Sequence, residues 1–402
     1  MRRLGILSFV LIGFVAGIAF TYSCGGGGGS SSSAATTIDQ LEARVVVLEA
    51  KLAYAVVSTA VINGVTGPHL VFTGINIHLQ NGSAQTDTNN GLGNLIVGYN
   101  EVPPVLGAGE RSGSHNLIVG HEHKYSTYGG LVAGWQNSLS GIHASIPGGW
   151  QNTATARYAA VLGGWKNDAT GQWSVVSGGE SNNATQQASS ISGGRGGSAT
   201  GTWSTVYGGS NNTASGQTST AGGGASNIAS GWLATVGGGQ QNNATQYAAA
   251  VSGGAGNTAS GDFSTVSGGG SNTASGYRSV VSAGISNSAM GSESAVSGGR
   301  DNTASGINAS VTGGYNSNAS GFASVVNGGY ENKATGAYAA VSAGYLGTAS
   351  GYGSAISGGR DNTASGNHAV VSGGQTNIAS GYASAVSGSS GLNASSSNQH
   401  LP

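Results

Sequence analysis

The sequence predicts an all-β fold, a parallel β-solenoid of fifteen-residue coils, preceded by a short coiled-coil helix. Three observations predict it. A Gly-Gly or Ala-Gly pair returns every fifteen residues from about Ala133 to about Ala394, as at Gly148-Gly149, Gly163-Gly164 and Gly373-Gly374. A fixed short period marks an architecture in which each unit stacks on the last. Apolar positions keep a strict register with that pair, which a disordered Gly/Ser-rich tract has no reason to do. Charged residues are only 7 % of the 402-residue chain, against about 25 % in ordinary soluble domains.

Each coil can be read by columns. Two residues before the glycine pair stands an apolar residue: Leu131, Ile146, Val161, Val176, Ile191, Val206 and onward to Val386, with Ala221 the small exception. Two residues earlier the column is Ser or Ala, as at Ala144, Ser174 and Ser204. Period-two alternation points both columns inward from a strand. Six residues past the first glycine, Ala recurs, as at Ala154, Ala214 and Ala379. One medium residue and several small ones per coil imply a narrow interior. The glycine pair marks a tight turn or the close passage of another backbone. Four past the first glycine stands Asn, as at Asn137, Asn152 and Asn302. Stacked Asn side chains can hydrogen-bond along a ladder, and Asn also suits a turn.

Ahead of the repeats the chain changes character. Residues 1–23 read as an export signal: Met1-Arg2-Arg3 is positive and Leu4 to Phe20 almost wholly apolar. Thr21-Tyr22-Ser23-Cys24 follows and resembles a lipoprotein signal, which implies acylation of Cys24. An uncleaved membrane anchor and simple cleavage with release are the alternatives. All three place the rest outside the cytoplasm, at the cell surface, lipid-anchored in an outer membrane, or secreted. Residues 24–36 read as a Gly/Ser tether. Residues 37–57 read as a short coiled coil, with Ile38, Leu41, Val45, Leu48, Leu52 and Ala55 alternating three and four apart. Arg44, Val45, Leu48 and Glu49 resemble a trimer-specifying pattern, in which an Arg fork reaches the carboxylate of the next chain. A β-branched residue at one seam position with Leu at the other points instead to two strands. A helix packed on its own chain is the third reading. Residues 58–132 read as an irregular capping section, with a strand at Ile75, Ile77 and Leu79. Asn94-Leu95-Ile96-Val97-Gly98 recurs as Asn116-Leu117-Ile118-Val119-Gly120, and the Pro103-Pro104 loop bulges between them. Residues 396–402 read as a tail.

The coil consensus Ser-x-Val-Ser-Gly-Gly-x-x-Asn-x-Ala-Ser-Gly, clear from Ser354 to Gly366, resembles the head repeats of trimeric autotransporter adhesins (YadA-like heads). The resemblance covers about two thirds of the chain. It implies a left-handed β-roll, a homotrimer and adhesion to an extracellular glycan, matrix protein or surface. In that family the head precedes its stalk and a C-terminal barrel; here the coiled coil comes first, and no alternating apolar strands follow.

Net charge is −1, which gives no footprint for nucleic acid. No motif implies a cofactor, and no acid/base pair or nucleophile constellation implies an enzyme. On a strand, His121-Glu122-His123 would put two imidazoles on one face and could begin a metal site, but no further ligands stand at suitable spacing, so the segment reads as a solvated loop. Aromatic residues fill outward columns. Trp135, Trp150 and Trp165 share one, and Tyr315, Tyr330 and Tyr345 fill it again; these either pack between chains of an oligomer or are the candidate surface-binding residues. Trp173 and Trp203 lie in another, with Tyr277, Phe322, Tyr352 and Tyr382 nearby. The leading expectation is a non-enzymatic adhesive or self-associating rod. Two alternatives are a passive scaffold or coat, and an ice-binding face made by the Thr-Ala-Ser runs at Thr213 to Ser215 and Thr303 to Ser305.

Overall fold

The computed structural model describes residues 31–102 and 110–402. Cys24, the apolar leader and the Pro103-Pro104 loop lie outside the described residues. The chain divides into two units after His78.

Among the described residues, the first unit opens with helix α1, Ser31–Leu52. It begins inside the stretch expected as a tether, because Ala34 and Ala35 are strong helix formers. It stops short of residue 57, because the β-branched Val56 and Val57 belong to strand β1, Ala55–Ser58. β1 pairs antiparallel with β2, His69–Phe72, so that Ala55 faces Phe72. Between them Ile62 and Val65 exchange both backbone hydrogen bonds around Asn63-Gly64, both at positive φ. Asn-Gly is the pair that such a turn favours. Ile75, Ile77 and Leu79, expected as a strand, lie outside every strand and are exposed. Alternation makes a strand only where a neighbour supplies the ladder.

The second unit is a parallel β-solenoid of about nineteen turns. One ladder begins at β3, Leu95–Val97, passes to β4, Leu117–His121, and, after β5, Lys124–Tyr125, takes up β6, Leu131–Trp135. It then collects one strand per coil, such as Ala160–Val161 opposite Val175–Val176, and ends at His400–Leu401 beside Ala385–Val386. A second ladder starts at β5 and runs through Thr153–Ala154 to Asn393–Ala394. Single parallel bridges form a third line, from Trp135 opposite Trp150 to Gln375 opposite Ser390. The stack therefore exceeds the expected limits at both ends. It takes in Leu95–Val97 and Leu117 to Val132, expected as an irregular cap, and the expected tail, whose Leu401 packs on the core.

Valine and alanine columns fill the interior. Val161, Val176, Val206 and Val236 are wholly buried, as are Ala154, Ala214 and Ala379. Each buried valine contributes roughly 2 kcal/mol of apolar burial. One expected member is displaced: Val132, not Leu131, pairs with Ile146 and is buried. That step is one residue shorter than the one joining Ala160 to Val175, so a column extrapolated at constant period lands on the wrong neighbour.

The asparagine column is an internal ladder, interrupted at Gly197, Ser317, Gly347 and Leu392. In Asn257, Nδ2 donates to the carbonyls of Gly253 at 2.9 Å and Gly269 at 3.0 Å, while Oδ1 accepts the backbone N–H of Asn272 at 3.0 Å. The pattern repeats coil after coil. Each buried amide thus meets carbonyls of its own coil and the next, as buried polar groups require. Where the column holds Gly197, Ser317, Gly347 or Leu392, the preceding Asn still accepts the backbone N–H of that residue.

Candidate functional site

With the interior filled by the narrow core, the chemistry sits on the surface of the coil. Two aromatic edges run along it, half a coil apart in sequence. They differ in ring geometry beyond Trp173; the early rings of the second edge, His143, Tyr158 and Trp173, still stack with planes within 18°.

The first edge is the line of single bridges. His121, Trp135, Trp150 and Trp165 stack with centroids 5.4, 4.9 and 5.4 Å apart and planes within 12°. Tyr315, Tyr330 and Tyr345 also stack, at 5.1 and 4.9 Å with planes within 18°. Indole N–H groups are held too. Trp135 donates to Glu122 at 2.9 Å, and Trp150 to Gln136 at 3.0 Å. Donation from Trp135 and Gln136 holds the Glu122 carboxyl below its usual range. Cations close the ends of the stacks. Lys166 Nζ lies 4.8 Å from the Trp165 centroid. The guanidiniums of Arg300 and Arg360 lie 5.9 and 5.4 Å from Tyr315 and Tyr345. Each such contact contributes about 0.5–1 kcal/mol at an exposed site. Glu331 pushes the Tyr330 phenol above its usual range. The six residues expected as sticky rings thus use their faces on one another. What they offer to solvent is ring edges.

The second edge lies at the turn leading back to the valine ladder. Here Trp232, Tyr247, Phe263 and Tyr277 form one row, and Phe322, Tyr338, Tyr352, His368 and Tyr382 another. In both rows neighbouring planes cross at 72–87°. In such a row at most every second ring can give its faces to its neighbours. The others turn a face to solvent, and Tyr382 is 56 % exposed against 38 % for Tyr330. The row alternates between adjacent columns. The backbone N–H of Tyr338 donates to the carbonyl of Phe322, and that of His368 to Tyr352, which sets a ring of one column beside a ring of the other in the next coil. Column reading set Tyr277, Phe322, Tyr352 and Tyr382 near the column of Trp173 and Trp203 but left out Tyr338 and His368, which complete the row. The signal available was that aromatics in two neighbouring columns interleave along the turn.

His121-Glu122-His123 does not place two imidazoles on one face. Glu122 sits at φ 61, so the chain turns between them. His121 goes outward onto Trp135, while His123 is wholly buried. It stands where later coils carry Asn. Its Nδ1 accepts the N–H of Asn137 at 3.2 Å and its Nε2 donates to Val119 O at 3.0 Å, which fixes a neutral ring. Among the described residues no three His, Cys, Asp or Glu side chains gather to hold a metal ion.

Burial, with the nearby His121, depresses the basicity of His123 below the ordinary value of 6.5. The unfolded chain then binds a proton that the folded chain refuses, so stability falls as pH drops below about 6.5. Denaturation of the wild type near pH 5 is expected to begin in the coils around His123. His123→Asn, which restores the residue used elsewhere in the column, is expected to abolish that pH dependence. Hydrogen exchange of the Asn137 amide at pH 7.5 and pH 5 checks this.

Helix α1 carries the expected trimer pattern on one side. Ile38 and Val45 are half-buried, while Leu41, Leu48 and Leu52 are exposed, so the seam is not covered by its own chain. Arg44 and Glu49 are exposed on the same helix. Among the described residues no helix is long and apolar enough to cross a membrane. No protein-family model matches the chain, and no curated protein matches it.

Proposed function

We propose that the chain is a non-enzymatic surface rod that mediates adhesion or self-association, organised like the head repeats of trimeric autotransporter adhesins. In this reading the solenoid is a left-handed roll with a fifteen-residue coil. Three chains join through α1, and acylated Cys24 tethers the rod outside the cytoplasm. The observation that carries it is the second aromatic edge, a line of exposed rings on a rigid scaffold. Surfaces that leave large aromatics exposed in series mark interaction sites. Identical chains side by side would multiply weak contacts along each edge into avidity. The uncovered seam of Leu41 and Leu48 supports the trimer. Arg44 and Glu49 supply the interchain ion pair.

The experiment is direct. Sedimentation of the full chain is expected to give a threefold mass, and Leu48→Asp is expected to reduce it to the monomer. The parent is expected to be retained on at least one of glycan, matrix-protein and abiotic surfaces. A monomeric parent that adheres to none of them overturns the reading.

A further inference from the structure

We propose that the row Phe322, Tyr338, Tyr352, His368 and Tyr382 is a binding track for a neutral, linear polysaccharide. The inference rests on the adhesion reading and names its ligand class.

Ring geometry comes first. Centroids follow one another at 5.4, 5.4, 5.5 and 5.8 Å, with planes 72–82° apart. Alternate rings turn a face outward, two coils and so roughly 9.6 Å apart, which suits the flat C–H faces of every second sugar ring in an extended chain. The neighbouring column supplies polar partners. Ser350, Ser365 and Ser380 are exposed, two residues ahead of Tyr352, Asn367 and Tyr382. Asn367 is exposed as well; its Oδ1 accepts the N–H of Tyr352, and its amide nitrogen has no partner among the described residues. Aromatic faces beside hydroxyl and amide groups are the chemistry that recognises a polyhydroxylated ligand.

Charge then selects within that class. From Ile307 to Asn398 the two columns of this edge hold no Asp, Glu, Lys or Arg. The acids and bases of these coils, Arg300, Asp301, Glu331, Arg360 and Asp361, stand on the opposite edge, and Lys333 on the alanine ladder. A sulfated or uronate chain, or a nucleic acid, would meet no cation along the row. A neutral chain meets neither attraction nor repulsion. Length favours a polymer over a folded protein. The row advances by one rung per coil, roughly 4.8 Å, and only a ligand with a short regular repeat stays in step with it.

The test uses the full chain on insoluble cellulose and chitin, with heparin and collagen surfaces as comparators. The parent is expected to bind a neutral polysaccharide, and added salt is expected to leave that binding unchanged. Tyr338→Ala, Tyr352→Ala and Tyr382→Ala together are expected to weaken it about tenfold or more. The rod should survive, because Ala323 and Ala383 already occupy the column of Tyr338, and Ala337 that of Tyr352. Tyr315→Ala, Tyr330→Ala and Tyr345→Ala, on the other edge, are expected to change binding by less than about twofold. Equal loss from both triple variants, or none from the first, overturns the track. Binding to collagen or heparin alone overturns the ligand class and leaves adhesion standing. A parent that binds no surface removes both.

Discussion

Gly254→Ala is expected to destabilise the solenoid by about 4 kcal/mol or more, while Gly253→Ala changes stability by less than about 0.5 kcal/mol. The two glycines are neighbours in one pair and look equivalent in sequence. Gly254 sits at φ +91, and a Cβ there would lie 2.2 Å from the carbonyl oxygen of Gly269 and 2.5 Å from Asn257 Nδ2. An L-residue in left-handed backbone costs about 1–2 kcal/mol by itself. The clash adds to it, because the obstacle is backbone and can move only by opening the stack. Gly253 has nothing within 4 Å of its Cβ position. Ala283 and Ala343 already fill its column in other coils. Among the described residues of the column of Gly254, the only one other than glycine is Ser389, in the last coil described, at φ 68. Urea denaturation of both variants checks the contrast. Hydrogen exchange should show the Ala255 and Gln240 amides freed first in Gly254→Ala, since they bond Gly269 O and Gly254 O.

That contrast shows what the chain made legible and what it hid. The period located the strands, the valine column and the buried asparagines, because each is a property of one coil repeated. Pairing between coils was harder to read. Leu131 was misplaced because one step of the ladder is a residue short. The Phe322 to Tyr382 row was missed as a unit because the turn couples two columns, so its rings are spaced by neither fifteen residues nor any other constant. His121-Glu122-His123 was read as a solvated loop, and the burial of His123 was missed because the left-handed Glu122 that turns the chain between the imidazoles has no marker in its residue type. Many non-glycine residues share that conformation, Trp173 and Tyr338 among them. Stacking neighbours above and below hold them there, and local preference alone would not.

Asn257→Ala is expected to cost about 3 kcal/mol, and Asn257→Asp more. The alanine removes both Nδ2 donations, leaving Gly253 O without a donor and weakening the hold on Gly269 O, and it deprives the N–H of Asn272 of its acceptor. The bond to the Asn272 N–H is buried and those to the two carbonyls are partly buried; an unmade buried hydrogen bond costs about 1–3 kcal/mol. Aspartate keeps an acceptor for Asn272 but turns a buried, charged oxygen toward two carbonyl oxygens. Only protonation relieves that repulsion, so the Asp variant is expected to gain stability as pH falls and the Ala variant is not. Melts at pH 7.5 and pH 5 separate them. The damage should also spread. In a stack each coil contacts only its neighbours, so an opened rung divides one long cooperative unit into two shorter ones. Two transitions in the Asn257→Ala melt, where the wild type shows one, would mark the ladder as what couples the coils. A single shifted transition would place that coupling in the valine and alanine columns instead.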